Sequence, residues 1–299
     1  MKIAIAGGTG LVGHTLTTLL QQQGHEVIIL TRGQPKLEKG VHYVQWLNGV
    51  LPLEQLEGIE AFVNLAGVSL NDGRWTAEQK EAIYNSRMTA TEEMLRIVTQ
   101  LGAPPQVIVN ASAVGIYPIS TTATYNETST QRAQDFLGKT VADWEQKALL
   151  AKQLGIRTCL ARFGVILDKT AGALPLVVMP YKMFVGGTIG SGKQWLSWIH
   201  VNDVARAILY LIETSSLEGP INFTAPHAQR MKSFGKTVGR VLNRPHWLPV
   251  PSFALQLALG EKSVLVLEGQ HVVPDKLVAA GFTFQFPTLE EALRDLYKS

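Results

Sequence analysis

Three glycines spaced three apart, Gly7, Gly10 and Gly13, stand between a short apolar run and an amphipathic stretch. In that context the first permits a tight turn and the second lets a pyrophosphate approach the backbone. The third lets a helix pack closely on a strand. The helix start then offers unpaired N–H groups and a partial positive charge to phosphates. Gly7, Thr9, Gly10, Leu11, Val12 and Gly13 are therefore candidate cofactor-binding residues. A glycine triplet alone is a weak signal, but a strand before it and a helix after it are what a dinucleotide site requires. The second β-rich run ends Ile29-Leu30-Thr31-Arg32-Gly33. An NAD site usually has an acid there for the ribose hydroxyls. Arg32 is instead a cation with a planar donor fork suited to a 2′-phosphate, and Thr31 adds a hydroxyl. The expected cofactor is NADP.

A second glycine-rich stretch invites a different reading. Gly187-Thr188-Ile189-Gly190-Ser191-Gly192-Lys193 meets the spacing G-x-x-x-x-G-K. The next residue is Gln194, where a P-loop needs Ser or Thr for magnesium. No clear strand precedes it, so an NTPase is not expected.

These residues need a frame to position them. Apolar runs at 1–6, 26–30, 41–46, 61–66, 107–111 and 157–163 read as strands, and 11–23, 76–101 (with a break open within it) and 136–153 read as helices. Alternating strands and helices predict an α/β fold with a Rossmann-type, doubly wound parallel sheet. A smaller C-terminal substrate-side region is expected to follow. The pattern changes beyond about residue 170, and a helix is expected over 201–214 with Asn202 or Asp203 as its N-cap. Residues 244–251 carry three prolines and read as a linker. A small helical unit follows, with a short strand or turn near 282–286. The expected division is a nucleotide-binding domain over 1–240 and a small domain over 248–295.

Composition excludes several classes. The 299 residues are 46% hydrophobic and 17% charged, an ordinary globular balance. A net charge of +3 without any Lys/Arg block argues against nucleic-acid binding. The opening apolar run is too short for a signal or a membrane span, so no membrane partner and a cytoplasmic location are expected. The one cysteine, Cys159, sits in an apolar run and reads as a core residue. No metal site is expected.

Taken together the chain resembles the extended short-chain dehydrogenase/reductase superfamily. More closely it resembles an atypical branch labelled epimerase family, or cell-division-inhibitor-like, that ends in a small domain of unknown function. The resemblance runs along essentially the whole chain. It is carried by residues 7–13, Asn64-Leu65-Ala66-Gly67, Ser86-Arg87, 112–117, Arg162-Phe163-Gly164-Val165, 190–195 and 198–203. Residues 267–270, Pro274 and Gly281-Phe282 fit the appended domain. The resemblance implies that Leu65, Ala66 and Gly67 line the cofactor, and that Glu81, Arg87 and Arg162 reach it.

It also implies a catalytic set. In the superfamily a Ser or Thr, a Tyr, and a Lys four residues later exchange the proton while hydride moves to or from the nicotinamide. Ser112 matches the first position. Counting back from Glu145, Leu137 and Val141 hold the Tyr and Lys positions, and neither can exchange a proton. Lys139 lies two positions off that step, on another face of the helix. Tyr117 and Tyr125 are candidate replacements, with Tyr117 taken beside Ser112 as the catalytic candidate. Lys193, Gln194 and Trp195 are substrate-pocket candidates, and His200 reads as structural. Two functions stay open. One is an NADP-binding oxidoreductase or epimerase-like enzyme acting on an unidentified small molecule. The other is a non-catalytic NADP(H)-binding sensor or scaffold. A homodimer is one assembly open to the chain, and the sequence does not select it.

Overall fold

The computed structural model describes residues 1–298. Its frame is an eight-stranded sheet. Across it the strands run Gly219–Phe223, Arg157–Phe163, Val107–Ala113, Ala61–Asn64, Lys2–Ala6, Glu26–Thr31, Val41–Gln45 and Lys36–Glu38. All pairs are parallel except the last, where Lys36–Glu38 closes the edge as an antiparallel strand. The fold is thus α/β, doubly wound, with a smaller C-terminal region.

Side chains alternate across each strand, so neighbouring residues feed opposite cores. Ile3 and Ile5 meet Leu16 and Leu20 of the Leu11–Gln22 helix, and Val204, Ile208 and Leu211 of the Val201–Glu213 helix. Ala4 and Ala6 face the other way, with Phe62 and Ile108, onto Met94 and Ile97 of the Ala77–Gln100 helix. Burial on both faces is why the central strands read as unbroken apolar runs. Each fully buried Ile or Leu contributes about 1.5–3 kcal/mol. Strand order reverses between Lys2–Ala6 and Ala61–Asn64, which leaves a crevice at their carboxyl ends. The glycine turn and Leu65 begin there.

Element ends differ from the sequence reading where side chains compete with the backbone. Residues 76–101 form one unbroken helix, Ala77–Gln100, whose N-cap Thr76 accepts from Gln79 N–H. The helix starting at Phe136 stops at Ala148 and tightens into a 3₁₀ turn over Leu149–Leu154. The cap of the Val201–Glu213 helix is His200, whose Nδ1 accepts from Asn202 N–H at 3.1 Å; it is neither Asn202 nor Asp203. Asp203 is buried and serves another segment. Its carboxylate accepts from the backbone N–H groups of Gln285 and Phe286 at 2.8 and 2.9 Å. Residues 282–286 run as an irregular segment with a bend at Gln285 and no strand.

Residues 244–251 run as an irregular segment pinned to the second glycine-rich loop. Trp247 and Leu248 N–H donate to Gly186 O, and Val250 N–H donates to Thr188 O. The C-terminal unit builds no separate core. Leu277, Phe282 and Phe284 join the sheet's core, while Phe286, Leu289 and Leu293 pack with Tyr181, Trp198 and Phe234. Cys159 is wholly buried, and burial pushes its thiol up to about 11. Among the described residues no helix is long and apolar enough to cross a membrane.

Candidate functional site

A cavity of about 740 Å³ opens at the crevice. Its floor begins with Gly7, Gly10, Leu11, Val12 and Gly13. Gly7 has φ +80°, and a Cβ there would stand 2.7 Å from the carbonyl carbon of Leu65. A Cβ on Gly13 would lie 2.4 Å from Gly7 O, so only glycine lets the helix start this close to the turn. Gly10 is the N-cap and supplies no side-chain acceptor, and the first turn holds no acid. The helix's leading N–H groups therefore remain open to an anion. Leu65, Ala66 and Gly67 form the adjoining wall.

Thr31 and Arg32 sit at the carboxyl end of Glu26–Thr31, outside the cavity lining. Thr31 Oγ1 accepts from Gly33 N–H at 3.0 Å, which leaves its proton free. Arg32 is exposed and, among the described residues, makes no hydrogen bond or ion pair. Thr9 is exposed at the rim and faces a separate open groove with His14. Glu81 is exposed on its helix and accepts from Asn85 Nδ2.

Arg87 does line the cavity. It reaches back along its helix to donate to Ile83 O at 2.8 Å, and across to Val68 O at 3.2 Å. Its guanidinium lies 5.2 Å from the centre of the Trp144 ring, and a Cβ on Gly67 would come within 3.3 Å of its Cζ. Trp144 is itself fixed by Nε1 donating to Thr91 Oγ1 at 2.9 Å. No carboxylate pairs with Arg87 among the described residues. Burial alone lowers its pKa to about 10. A half-buried cation without a partner acid can receive an anionic ligand.

Ser112 ends its strand at the cavity wall, and its hydroxyl donates to Glu145 Oε1 at 2.6 Å. Glu145 also takes a two-pronged bond from Arg162, Nε to Oε1 and Nη2 to Oε2, both 2.7 Å. Arg162 Nη1 donates to the Tyr117 hydroxyl at 2.7 Å. Tyr117 in turn has Asn222 Oδ1 at 2.9 Å and Asn126 O at 3.0 Å as acceptors. Arg162 and Tyr117 are fully buried behind the cavity wall and line no part of it. Burial works against the Arg162 charge, yet the bonds to Glu145 outweigh it and raise its pKa. Burial also raises the Tyr117 pKa, though Arg162 opposes the shift. Tyr117 is thus a neutral phenol inside a structural network, the opposite of a tyrosine tuned downward to act as a base.

Leu137 and Val141 both face the cavity, along with Thr140 and Trp144 of the same helix. The register counted from Glu145 therefore places the expected Tyr and Lys positions at the cavity, with aliphatic side chains in them. Glu145 was legible only as a register mark, although it is the hub of the buried network. A carboxylate one turn beyond Val141 on the same helical face was the available signal.

The far wall comes from Trp195, Ser197 and the C-terminal segment 264–270. Ser197 Oγ donates to Gln270 O at 2.8 Å and accepts from Val272 N–H at 2.9 Å. Gln270 Nε2 donates to Tyr117 O at 3.0 Å. Trp195 stacks on His271 with ring centres 4.2 Å apart. Of the three pocket candidates only Trp195 lines the cavity. Lys193 is exposed, and the buried Gln194 amide ties the loop to Ile189 O and Val266 O. The C-terminal wall went unread because its residues show no chemistry until the fold brings them to Ser197.

Comparison with known proteins agrees with this architecture. Residues 3–223 match the NAD dependent epimerase/dehydratase family, and residues 250–296 match a domain of unknown function. The chain is 48% identical over 298 residues to Epimerase family protein YfhF of Bacillus subtilis, covering 99% of this chain and 98% of that one. It is 41% identical over 295 residues to Epimerase family protein SA0724 of Staphylococcus aureus, covering 98% of each. A crystal structure of human epimerase family protein SDR39U1 (isoform 2) with NADPH superposes with a TM-score of 0.91 at 31% identity, covering 100% of both chains. A nucleoside-diphosphate sugar epimerase from Corynebacterium glutamicum superposes with a TM-score of 0.79 at 30% identity, covering 99% of this chain and 58% of that one.

Proposed function

The chain belongs to the NAD-dependent epimerase/dehydratase family, and on that premise we propose that it binds NADP(H) and acts as an oxidoreductase on a small molecule held in the same cavity. The observation that carries this reading is the continuity of that cavity, which runs from the first-turn amides past Ser112 to Gln270. When bound, the cofactor supplies a hydride donor or acceptor. The open amides after Gly10 suit its pyrophosphate, and Arg87, standing against Gly67 beside that turn, suits the same diphosphate. Arg32 and Thr31, with free donors and no competing acid, suit a 2′-phosphate. The human relative is described with NADPH, which supports the same choice.

Ser112 spends its proton on Glu145, so it presents lone pairs to the cavity and orients a donor group there. It is a positioning group in this reading, and water supplies the proton that Tyr and Lys would otherwise move. A second reading, a non-catalytic NADP(H)-binding sensor or scaffold, is favoured by the aliphatic side chains of Leu137 and Val141 at the cavity. NADPH oxidation followed by absorbance across a panel of carbonyl and nucleotide-sugar compounds separates the two. Turnover of any one compound supports the enzyme. Saturable NADPH binding with no turnover across the panel transfers support to the sensor.

A further inference from the structure

The cavity's charges constrain what can share it with the cofactor. Arg87 is its one cationic lining side chain among the described residues, and it stands on the glycine-turn side, against Gly67. The acids Asp72, Asp135 and Glu268 also line it. Asp135 is occupied as the N-cap of its helix, accepting from Gly138 N–H at 2.8 Å. In the half beyond the glycine turn and Ser112 the lining includes Leu70, Ile119, Leu196, Val264 and Leu265 with Trp195, alongside Asn71 and Asp72. Two of its polar groups are committed within the wall. Ser197 has both its bonds made within the wall, and the Gln270 amide nitrogen is held on Tyr117 O.

Three cations outside this half are held by backbone carbonyls. Arg230 lies over the Trp195 ring and donates to Lys193 O. Lys262 is clamped to Asn71 O and Gly73 O, and Arg74 donates to Ala258 O. The Lys262 and Arg74 bonds close the rim by joining the 71–74 loop to the C-terminal segment. None of the three side chains is part of the cavity lining.

A diphosphate brings two negative charges that must be paired when they leave water. The cofactor's own phosphates already claim the open amides and Arg87. A second diphosphate in the same cavity would meet Glu268 and aliphatic side chains. We propose that the substrate half takes an uncharged, largely apolar ketone or aldehyde, and that it rejects nucleoside diphosphate sugars. In the reducing direction the carbonyl carbon receives hydride from NADPH and the carbonyl oxygen takes a proton from water. The products are the alcohol, NADP⁺ and the hydroxide left by that water, which bulk solvent neutralises. The proposal rests on the oxidoreductase reading above and narrows it to a substrate class.

The test uses full-length protein saturated with NADPH, with NADPH binding itself measured first. Failure to bind NADPH sinks the parent reading, and with it this one. Given NADPH binding, an aryl alkyl ketone and UDP-glucose are titrated separately by calorimetry. The expected result is saturable ketone binding at least about tenfold tighter than UDP-glucose, equivalent to 1.4 kcal/mol. Leu265→Asp should weaken the ketone by about the same factor and leave NADPH affinity unchanged, while Leu265→Met should keep both. The unchanged NADPH affinity also shows that the variant is folded. Equal or tighter binding of UDP-glucose overturns the proposal. So does the absence of binding by both compounds, while the cofactor assignment stands.

Discussion

Two glycine-rich turns look alike in the sequence and behave differently in the fold. Gly7–Gly13 follows a central strand, and Gly13 faces its own turn: a Cβ there would strike Gly7 O and the Gly8 backbone. The glycines thereby draw a helix start against the sheet and leave its leading N–H groups unpaired. The later loop is glycine-rich because another segment lies on it. A Cβ on Gly187 would stand only 1.9 Å from Leu248 O, and one on Gly190 only 2.8 Å from Leu267 Cδ2. Gly190 N–H donates to Val250 O, Val250 N–H to Thr188 O, and Lys232 N–H to Gly192 O. Glycine spacing reports close approach; what approaches depends on whether the amides at that place are still free.

Substitutions can break this contrast. Gly13→Val should weaken NADPH binding by about 100-fold, about 2.7 kcal/mol, the scale of one or two lost charge-assisted hydrogen bonds to the pyrophosphate. Fluorescence titration of folded protein checks it, and unchanged affinity would remove the turn from the cofactor site. Gly187→Val should act on stability instead, costing about 1–3 kcal/mol through overpacking against Leu248. Its urea midpoint should fall while NADPH affinity holds. A matching loss of NADPH affinity would erase the distinction between the turns. A further contrast comes from the cation that accompanies each turn. Arg32→Ala should lose about tenfold or more in NADPH affinity, the 1.5–3 kcal/mol of a charged hydrogen bond, with NADH affinity unmoved. An equal loss for both cofactors would refute the 2′-phosphate assignment. Lys193→Ala should change affinity for NADPH and for ATP by less than about twofold, as befits an exposed side chain outside the cavity.

The parts legible in the sequence were those set by local pattern. Central strands announced themselves because burial on both faces demands continuous apolar runs, as in Ile3–Ala6. The first turn was legible because its glycines, strand and helix are adjacent in the chain. Leu137 and Val141 could be placed at the cavity because helical register carries over from Glu145. Long-range pairing was not legible. Nothing near Arg162 in the chain announces that Glu145 will occupy it, and Tyr117 gives no sign that its hydroxyl will be bound to Asn222. Asp203 read as a cap for its own helix, yet it holds Gln285 and Phe286, which lie about 80 residues onward. The C-terminal wall of the cavity belongs to the same class: Gln270 acquires a place only when Ser197 meets it.

The central claim, that the first turn and the end of the second strand hold a dinucleotide carrying a 2′-phosphate, is tested most directly by calorimetric titration of the wild-type protein with NADPH and with NADH. Saturable NADPH binding at one site per chain, with NADH at least about tenfold weaker, is the expected result. Equal affinities for the two, or no binding of NADPH, would contradict it.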